Sequence, residues 1–323
     1  MGAQTAQTTR SYGDDGWEGW TDALEKDLGK DRIEGMATEL TIVQIELDFA
    51  FQNLKTWMKP ESVPSPAAFM PSFSRLEKRP LTGPAVLIIG PFNYPVSLVL
   101  SPLVGALAAG NPAVVKPSEL CPASGALFAK LIPQYFEKDA VACVTGGVPE
   151  TTALLKQPWG KIFFTGSATV GKIVASAAAQ TLTPVALELG GKCPCYVDGP
   201  TCPKDIQQVA NRIIWSKLLN TGQTCAATDT LIIDEALAPK LVPALKKSLA
   251  LQYGDDPKKS SLGRIISQRH AERLVAALDE VEMDTKAEVI VGGSKDCDVE
   301  DKYIAPTIVL NPGPETRLMR EEI

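Results

Sequence analysis

At 323 residues, 45% hydrophobic and 22% charged, the chain can bury the core of one large domain or two ordinary ones. A net charge of −6 leaves no basic patch for nucleic acid and no polybasic segment for a membrane surface. The single histidine, His270, excludes histidine-rich metal centres and leaves one imidazole for any protease-like arrangement.

From its start, Met1 to Trp20 carries no charged-then-apolar leader, and position 6 is Ala where a myristoylation site requires Ser or Thr. No apolar run approaches the roughly 18 residues of a membrane helix, so the expectation is a cytoplasmic chain without a membrane anchor. The first strong periodicity joins Ile33, Met36, Leu40, Val43, Leu47, Phe51, Leu54 and Met58 at steps of three or four. That spacing predicts one long amphipathic helix, ended by Pro60. The Pro- and Ser-rich run from Ser62 to Ser74 reads as a linker or crossing segment, within about 60–80.

Then the pattern changes. Pro84 to Gly90 is a short continuous apolar run, which marks a strand covered on both faces. Helices follow over about 95–109, 123–136 and 169–180, alternating with strands at 113–116, 141–145 and 161–165. Such alternation implies parallel pairing through right-handed crossovers, so the fold class is α/β with an open parallel sheet of Rossmann type. After Gly190-Gly191 the alternation restarts, with a helix at Lys204 to Asn220 and a strand at Thr230 to Ile233. The expected division is a first domain over 1–189 and a second α/β domain over 190–323. His270 falls in a helical stretch from Ser267 to Leu278 and reads as a solvated helix residue.

Seven cysteines, at 121, 143, 193, 195, 202, 225 and 297, make an odd and scattered set. Without a leader they read as reduced thiols rather than a disulfide framework. Cys193, Cys195 and Cys202 match no common zinc spacing, so no metal is expected.

Ligands on an open α/β sheet sit at the carboxyl ends of strands, and four places there carry usable chemistry. In Gly90-Pro91-Phe92-Asn93-Tyr94-Pro95, the Pro fits a helix start and Asn93 offers an amide donor; taken alone, a capping turn explains it as well. Lys116-Pro117-Ser118-Glu119 suits paired ribose hydroxyls, the lysine donating and the carboxylate accepting; a surface ion pair is the bland alternative. Gly166-Ser167-Ala168-Thr169-Val170-Gly171 lies between a strand and a helix, where backbone N–H groups and the helix dipole hold phosphate. It nearly fits the G-x-x-x-x-G-K phosphate loop, but Ile173 stands where Ser or Thr would bind magnesium, and no G-x-G-x-x-G is present. Lastly, Leu187-Glu188-Leu189-Gly190-Gly191-Lys192 puts a carboxylate beside glycines, and Asn220-Thr221-Gly222-Gln223-Thr224-Cys225 puts a thiol in a polar turn. A single Cys is more often a small core residue than a nucleophile. In this turn, however, the thiolate would be stabilised, and Cys225 is expected to react fastest of the seven.

Together and in this order, PFNYP, KPSE, FTGSATVG, LELGGK and GQTC resemble the aldehyde dehydrogenase family, over nearly the whole chain. The helix ending Asn53-Leu54-Lys55-Thr56-Trp57-Met58 is similar to the subfamily of class 3 and fatty-aldehyde enzymes. The resemblance implies that Cys225 attacks the aldehyde carbonyl, and that Asn93 stabilises the oxyanion together with the backbone N–H of the cysteine. It implies Glu188 as general base for hydrolysis of the thioester, a role that partial burial would help. By the same resemblance Lys116 and Glu119 hold the adenosine ribose, Gly166 to Gly171 the pyrophosphate, and Glu322 the nicotinamide ribose. The implied cofactor is NAD or NADP, with NAD favoured because Glu119 would repel a 2′-phosphate. Glu321-Glu322-Ile323 matches the opening of the family's E-E-I-F-G-P motif, so the expected catalytic domain is incomplete. The alternative is a truncated relative that binds cofactor or a full-length partner; the relatives are dimers, and the bridging strand would lie beyond Ile323. Two smaller departures are Cys193, where the family commonly has Ser, and Ala227-Thr228 before Asp229, where Pro is common.

Overall fold

The apolar run that follows the linker forms β3 (Val86–Ile89), and all four of its side chains are buried. Burial on both faces is what a continuous Val-Leu-Ile-Ile stretch requires. In this computed structural model, which describes residues 14–79, 84–199 and 205–323, β3 is the centre of a five-stranded sheet. The others are β4 (Ala113–Lys116), β5 (Val141–Cys143), β6 (Lys161–Gly166) and β7 (Val185–Leu189), ordered β5-β4-β3-β6-β7. The pairings β3–β4, β3–β6 and β4–β5 are parallel. Strand order therefore reverses at β3, the switch point at which an open α/β sheet leaves a crevice beyond its strand ends.

The crossovers are α4 (Ser97–Ala108), α5 (Pro122–Tyr135), α6 (Val148–Leu155) and α7 (Ala168–Ala179). Leu87 and Ile89 of β3, Ile162 and Phe164 of β6, and Val174 and Ala178 of α7 make one buried cluster. Before the sheet come α1 (Asp14–Leu28), α2 (Arg32–Gly35) and α3 (Thr41–Trp57), then β1 (Glu61–Val63) paired antiparallel with β2 (Ser74–Leu76).

Two sequence expectations change here. The helix expected over Ile33 to Met58 is interrupted by a π-helical stretch, Met36–Leu40. The wider turn accompanies Glu39, which is fully buried and accepts from Val96 N (3.1 Å) and Ser97 N (2.8 Å) at the start of α4. The Pro- and Ser-rich run is not a bare linker but the β1–β2 pair, closed by Ser65 Oγ bonding Ser72 O and Ser74 Oγ, each at 2.9 Å.

The chain divides into two units, one holding Met36–Glu188 with the chain up to Trp20, the other Thr21–Gly35 with Leu189–Ile323. In the second, β8 (Pro194–Val197) pairs parallel with β9 (Thr230–Ile233) across α8 (Ile206–Leu218), and α9 (Ala238–Tyr253) packs on α8. Ile213, Ile214, Leu218, Leu241 and Leu245 form the core between these helices. There follow α10 (Gln268–Glu282), the antiparallel pair β10 (Glu288–Val291) and β11 (Ile308–Leu310), and α11 (Arg317–Arg320). The segment Thr21–Gly35 is tied to this unit through Leu28 O, which accepts from Arg264 N at 2.8 Å.

His270 is not a freely solvated helix residue. It is half-buried in the N-cap of α10, where Ser267 Oγ lies 2.7 Å from its Nδ1, and burial, with Arg273 and Arg269 nearby, lowers its pKa. Lys204 and Cys202, like Met1-Gly2, lie outside the described residues. Among those described, no helix is long and apolar enough to cross a membrane.

Candidate active site

In the first unit, three of the motifs lie past strand ends of one sheet. Past β3, Gly90 N donates to Lys116 O at 3.0 Å, and any Cβ at Gly90 would overlap the Val99 side chain. Glycine is needed there because the backbone runs against α4. The turn that follows places Asn93, half-buried, between Cys121 Sγ donating to Phe92 O (3.2 Å) and the Glu39 carboxylate capping α4. Past β4, Lys116 is 2% exposed, and its Nζ donates to Glu119 Oε2 at 2.9 Å and to Pro117 O at 3.2 Å. Burial raises the Glu119 pKa, but the Lys116 ammonium outweighs it and holds the carboxyl below its ordinary value. Past β6, Ser167 caps α7 by accepting from Val170 N at 3.3 Å, and no acidic residue stands in the first turn. Ser167, Ala168, Thr169 and Val170 are exposed, Gly166 is half-buried and Gly171 is buried. Just before them, Thr165 Oγ1 is buried with no hydrogen-bond partner.

Glu188, on β7, is exposed. The partial burial expected of it is not found, because β7 lies at the sheet edge and Val185, Ala186 and Leu187 are themselves only half-buried.

In the second unit Cys225 lies on the turn between α8 and β9. This turn begins with three successive left-handed residues, Asn220 (φ 55°), Thr221 (φ 59°) and Gly222 (φ 79°). For β-branched Thr221 that conformation is costly, and it persists because its neighbours over-determine it. Glu34 Oε1 accepts from Asn220 N at 2.6 Å, and Asn220 Nδ2 donates to Gln223 O at 3.1 Å. Gln223 Nε2 donates to Asn220 O (3.2 Å) and Arg264 O (3.1 Å), while its Oε1 accepts from Ile266 N (3.0 Å). Replacing Gln223 by Ala should therefore cost about 2 kcal/mol of stability, from lost bonds and an unsatisfied Ile266 N–H. Urea unfolding measures this, and an unchanged midpoint would show the turn is held by other contacts.

The turn presents Cys225 exposed, with Glu322 and Cys193 acting on it, and these two belong to a polar group that also includes Lys192, Lys217 and Asp229. Cys193 Sγ donates to Cys225 O at 2.9 Å. Lys192 pairs with Asp229 and donates to Leu318 O at 2.6 Å, and Lys217 Nζ donates to Ile323 O at 3.2 Å. Glu322 lies against Gly190, where an added Cβ would overlap its carboxylate. Sequence reasoning assigned no role to Lys192, Lys217 or Asp229; the one available signal was that Lys192 closes the LELGGK motif.

The electrostatics correct one expectation. The polar turn does not favour the thiolate: burial, then the Glu322 carboxylate, then Cys193, push the Cys225 thiol above the ordinary thiol range. Burial also raises the pKa of Glu322, against Arg273, and lowers that of Lys217. Alkylation of Cys225 by iodoacetamide should thus increase with pH through a value higher than a free thiol's, since only the thiolate reacts. Glu322→Gln removes the repelling charge, so the profile should move to lower pH; an unmoved profile would show that Glu322 does not set it.

Among the described residues, no group of three or more His, Cys, Asp or Glu side chains is placed to hold a metal ion. Residues 18–323 match the aldehyde dehydrogenase family, and the chain belongs to it. Aldehyde dehydrogenase family 3 member B2 of Mus musculus is 45% identical over 303 residues, 94% of this chain and 60% of that protein. An aldehyde dehydrogenase of Craterostigma plantagineum is 45% identical over 304 residues, covering 94% and 62%. The substrate-bound structure of AldH from Staphylococcus aureus superposes with a TM-score of 0.88 at 37% identity, covering 99% of this chain and 67% of that one. The chain thus spans about three fifths of the length of the curated relatives it matches. The central parallel sheet and the Rossmann-type α/β class agree with the sequence reading.

Proposed function

We propose that this chain oxidises an aldehyde to a carboxylic acid with NAD(P)⁺, through a covalent intermediate on Cys225. The observation carrying this reading is the exposed thiol on a turn fixed by left-handed residues and the Gln223 bonds, in a member of the aldehyde dehydrogenase family. Members of that family use NAD or NADP.

The first unit's donor set suits such a cofactor. The exposed start of α7, free of acidic side chains, offers backbone N–H groups and a positive dipole end to a pyrophosphate, with the unpartnered Thr165 hydroxyl beside it. Lys116 and Glu119 offer one donor and one acceptor to a ribose diol. When bound, the nicotinamide supplies the acceptor for the two electrons lost by the substrate. NAD is the favoured form in this reading, because Glu119 is held ionised and repels a 2′-phosphate. Millimolar NAD should raise the melting temperature more than equal NADP, and Glu119→Gln should narrow the difference. Equal shifts in the unsubstituted chain would remove Glu119 as the discriminator.

In the chemistry proposed, Cys225 adds to the aldehyde carbon, and Asn93 with the Cys225 N–H stabilises the tetrahedral oxyanion. Glu188 takes a proton from the water that hydrolyses the resulting thioester. Its exposure suits access to water. Glu322 is assigned to the nicotinamide ribose, and Gly190 leaves it room. A cytoplasmic setting belongs to the same reading, since six described cysteines are free thiols, which suits a reducing compartment. The experiment is NADH formation from hexanal and benzaldehyde, with and without coenzyme A. Aldehyde-dependent NADH that coenzyme A does not accelerate supports the reading; NADH formed only with coenzyme A would assign acyl transfer instead.

A further inference from the structure

We infer that Cys193 is the resolving thiol of an oxidative modification site, capturing peroxide-oxidised Cys225 as a Cys193–Cys225 disulfide. The contact is direct: Cys193 Sγ lies 2.9 Å from Cys225 O, and bond lengths keep the Cys225 sulfur within about 5 Å of that oxygen. The two segments are also joined by their backbones, since Cys193 O accepts from Asp229 N (3.0 Å) and Thr230 N (3.4 Å). Cys225 is exposed, so its side chain can rotate toward Cys193 and a peroxide can reach it. The neighbouring thiols are otherwise engaged. Cys195 packs against the α8–α9 core, and so does Cys297, whose Sγ donates to Gly293 O at 3.4 Å.

The chemistry closes with hydrogen peroxide as the only oxidant. The Cys225 thiolate attacks one peroxide oxygen, an S–O bond forms, the O–O bond breaks, and hydroxide leaves and takes a proton as water. Cys193 then attacks the sulfenic sulfur; the S–S bond forms, the S–O bond breaks, and the oxygen departs as water with the thiol proton. Two thiols lose two electrons in total and one peroxide becomes two waters. The burial and charge that push the Cys225 thiol up make the first step slow at neutral pH. The disulfide's consequence lies in the next step: it removes the sulfenic acid before irreversible oxidation to sulfinic and sulfonic acids.

The test uses the full chain and reads the linkage, so it stands apart from whether the chain turns over. Protein treated with hydrogen peroxide is alkylated and digested with trypsin without reduction. The expected product joins peptide Leu218–Lys240, whose only cysteine is Cys225, to peptide Cys193–Lys204. Because the latter also holds Cys195 and Cys202, fragment ions must place the bond at Cys193. In Cys193→Ser, and in Cys193→Ala with a melting temperature confirming the fold, the linked pair should vanish. Cys225 should then pass to sulfinic and sulfonic acids, and severalfold less of it should return to free thiol with dithiothreitol. A bond at Cys195 or Cys202 would overturn the inference, as would wild-type Cys225 over-oxidising while Cys193 remains alkylatable.

Discussion

Cys225→Ala is expected to abolish aldehyde-dependent NADH formation, a loss on the order of 10⁴-fold or more, because the proposed acyl intermediate forms on its sulfur. Stability should hardly change, since the side chain is exposed and the turn is held by Asn220, Gln223 and Glu34 rather than by the thiol. Cofactor should still raise the melting temperature, because Lys116, Glu119 and the start of α7, which are assigned to it, lie on the other unit. Loss of turnover with retained cofactor binding separates a chemical role from a structural one. Substantial residual turnover would move the nucleophile elsewhere, and the alkylation profile of the remaining thiols would then identify it.

What the sequence made legible were features whose cause is local. Val86–Ile89 announces itself because a strand covered on both faces has no polar alternation to lose. The strand ends at Lys116 and Gly166 follow from the same rhythm of short apolar runs and helical stretches. What stayed hidden has distant causes. The helical pattern continues through Met36–Leu40, and only the pull of Glu39 toward the start of α4, 57 residues on, accompanies the change of winding. Helix α1 is a different case: it buries Trp20, Ala23, Leu24 and Leu28, and Trp17, Trp20, Leu24 and Leu28 recur at steps of three and four, a helical signal in the sequence that was passed over. At the site, GQTC singled out the thiol as a motif, yet its pKa points the other way from the expectation. The polar character of the turn was visible; the approach of Glu322, almost a hundred residues away, was not. Lys192, Asp229 and Lys217 likewise meet only in three dimensions.

Glu188→Gln should separate the two halves of the proposed reaction. The amide keeps the size of the carboxylate and can still hydrogen-bond water, but it cannot take up a proton at neutral pH. Acyl-enzyme formation does not need that proton transfer, so a burst of NADH close to one equivalent per active chain is expected. Steady turnover afterwards should fall about 100-fold or more, within the usual range for losing a general base. Because Glu188 is exposed, the substitution should leave the melting temperature nearly unchanged, which removes unfolding as an explanation. Hydroxylamine supplies a second readout: it is nucleophilic without a base, so it should cleave the stalled thioester, release a hydroxamate and restart NADH formation. Loss of the burst itself, with cofactor binding intact, would place Glu188 in the first step. A burst followed by undiminished turnover would instead assign the water-activating base to another residue.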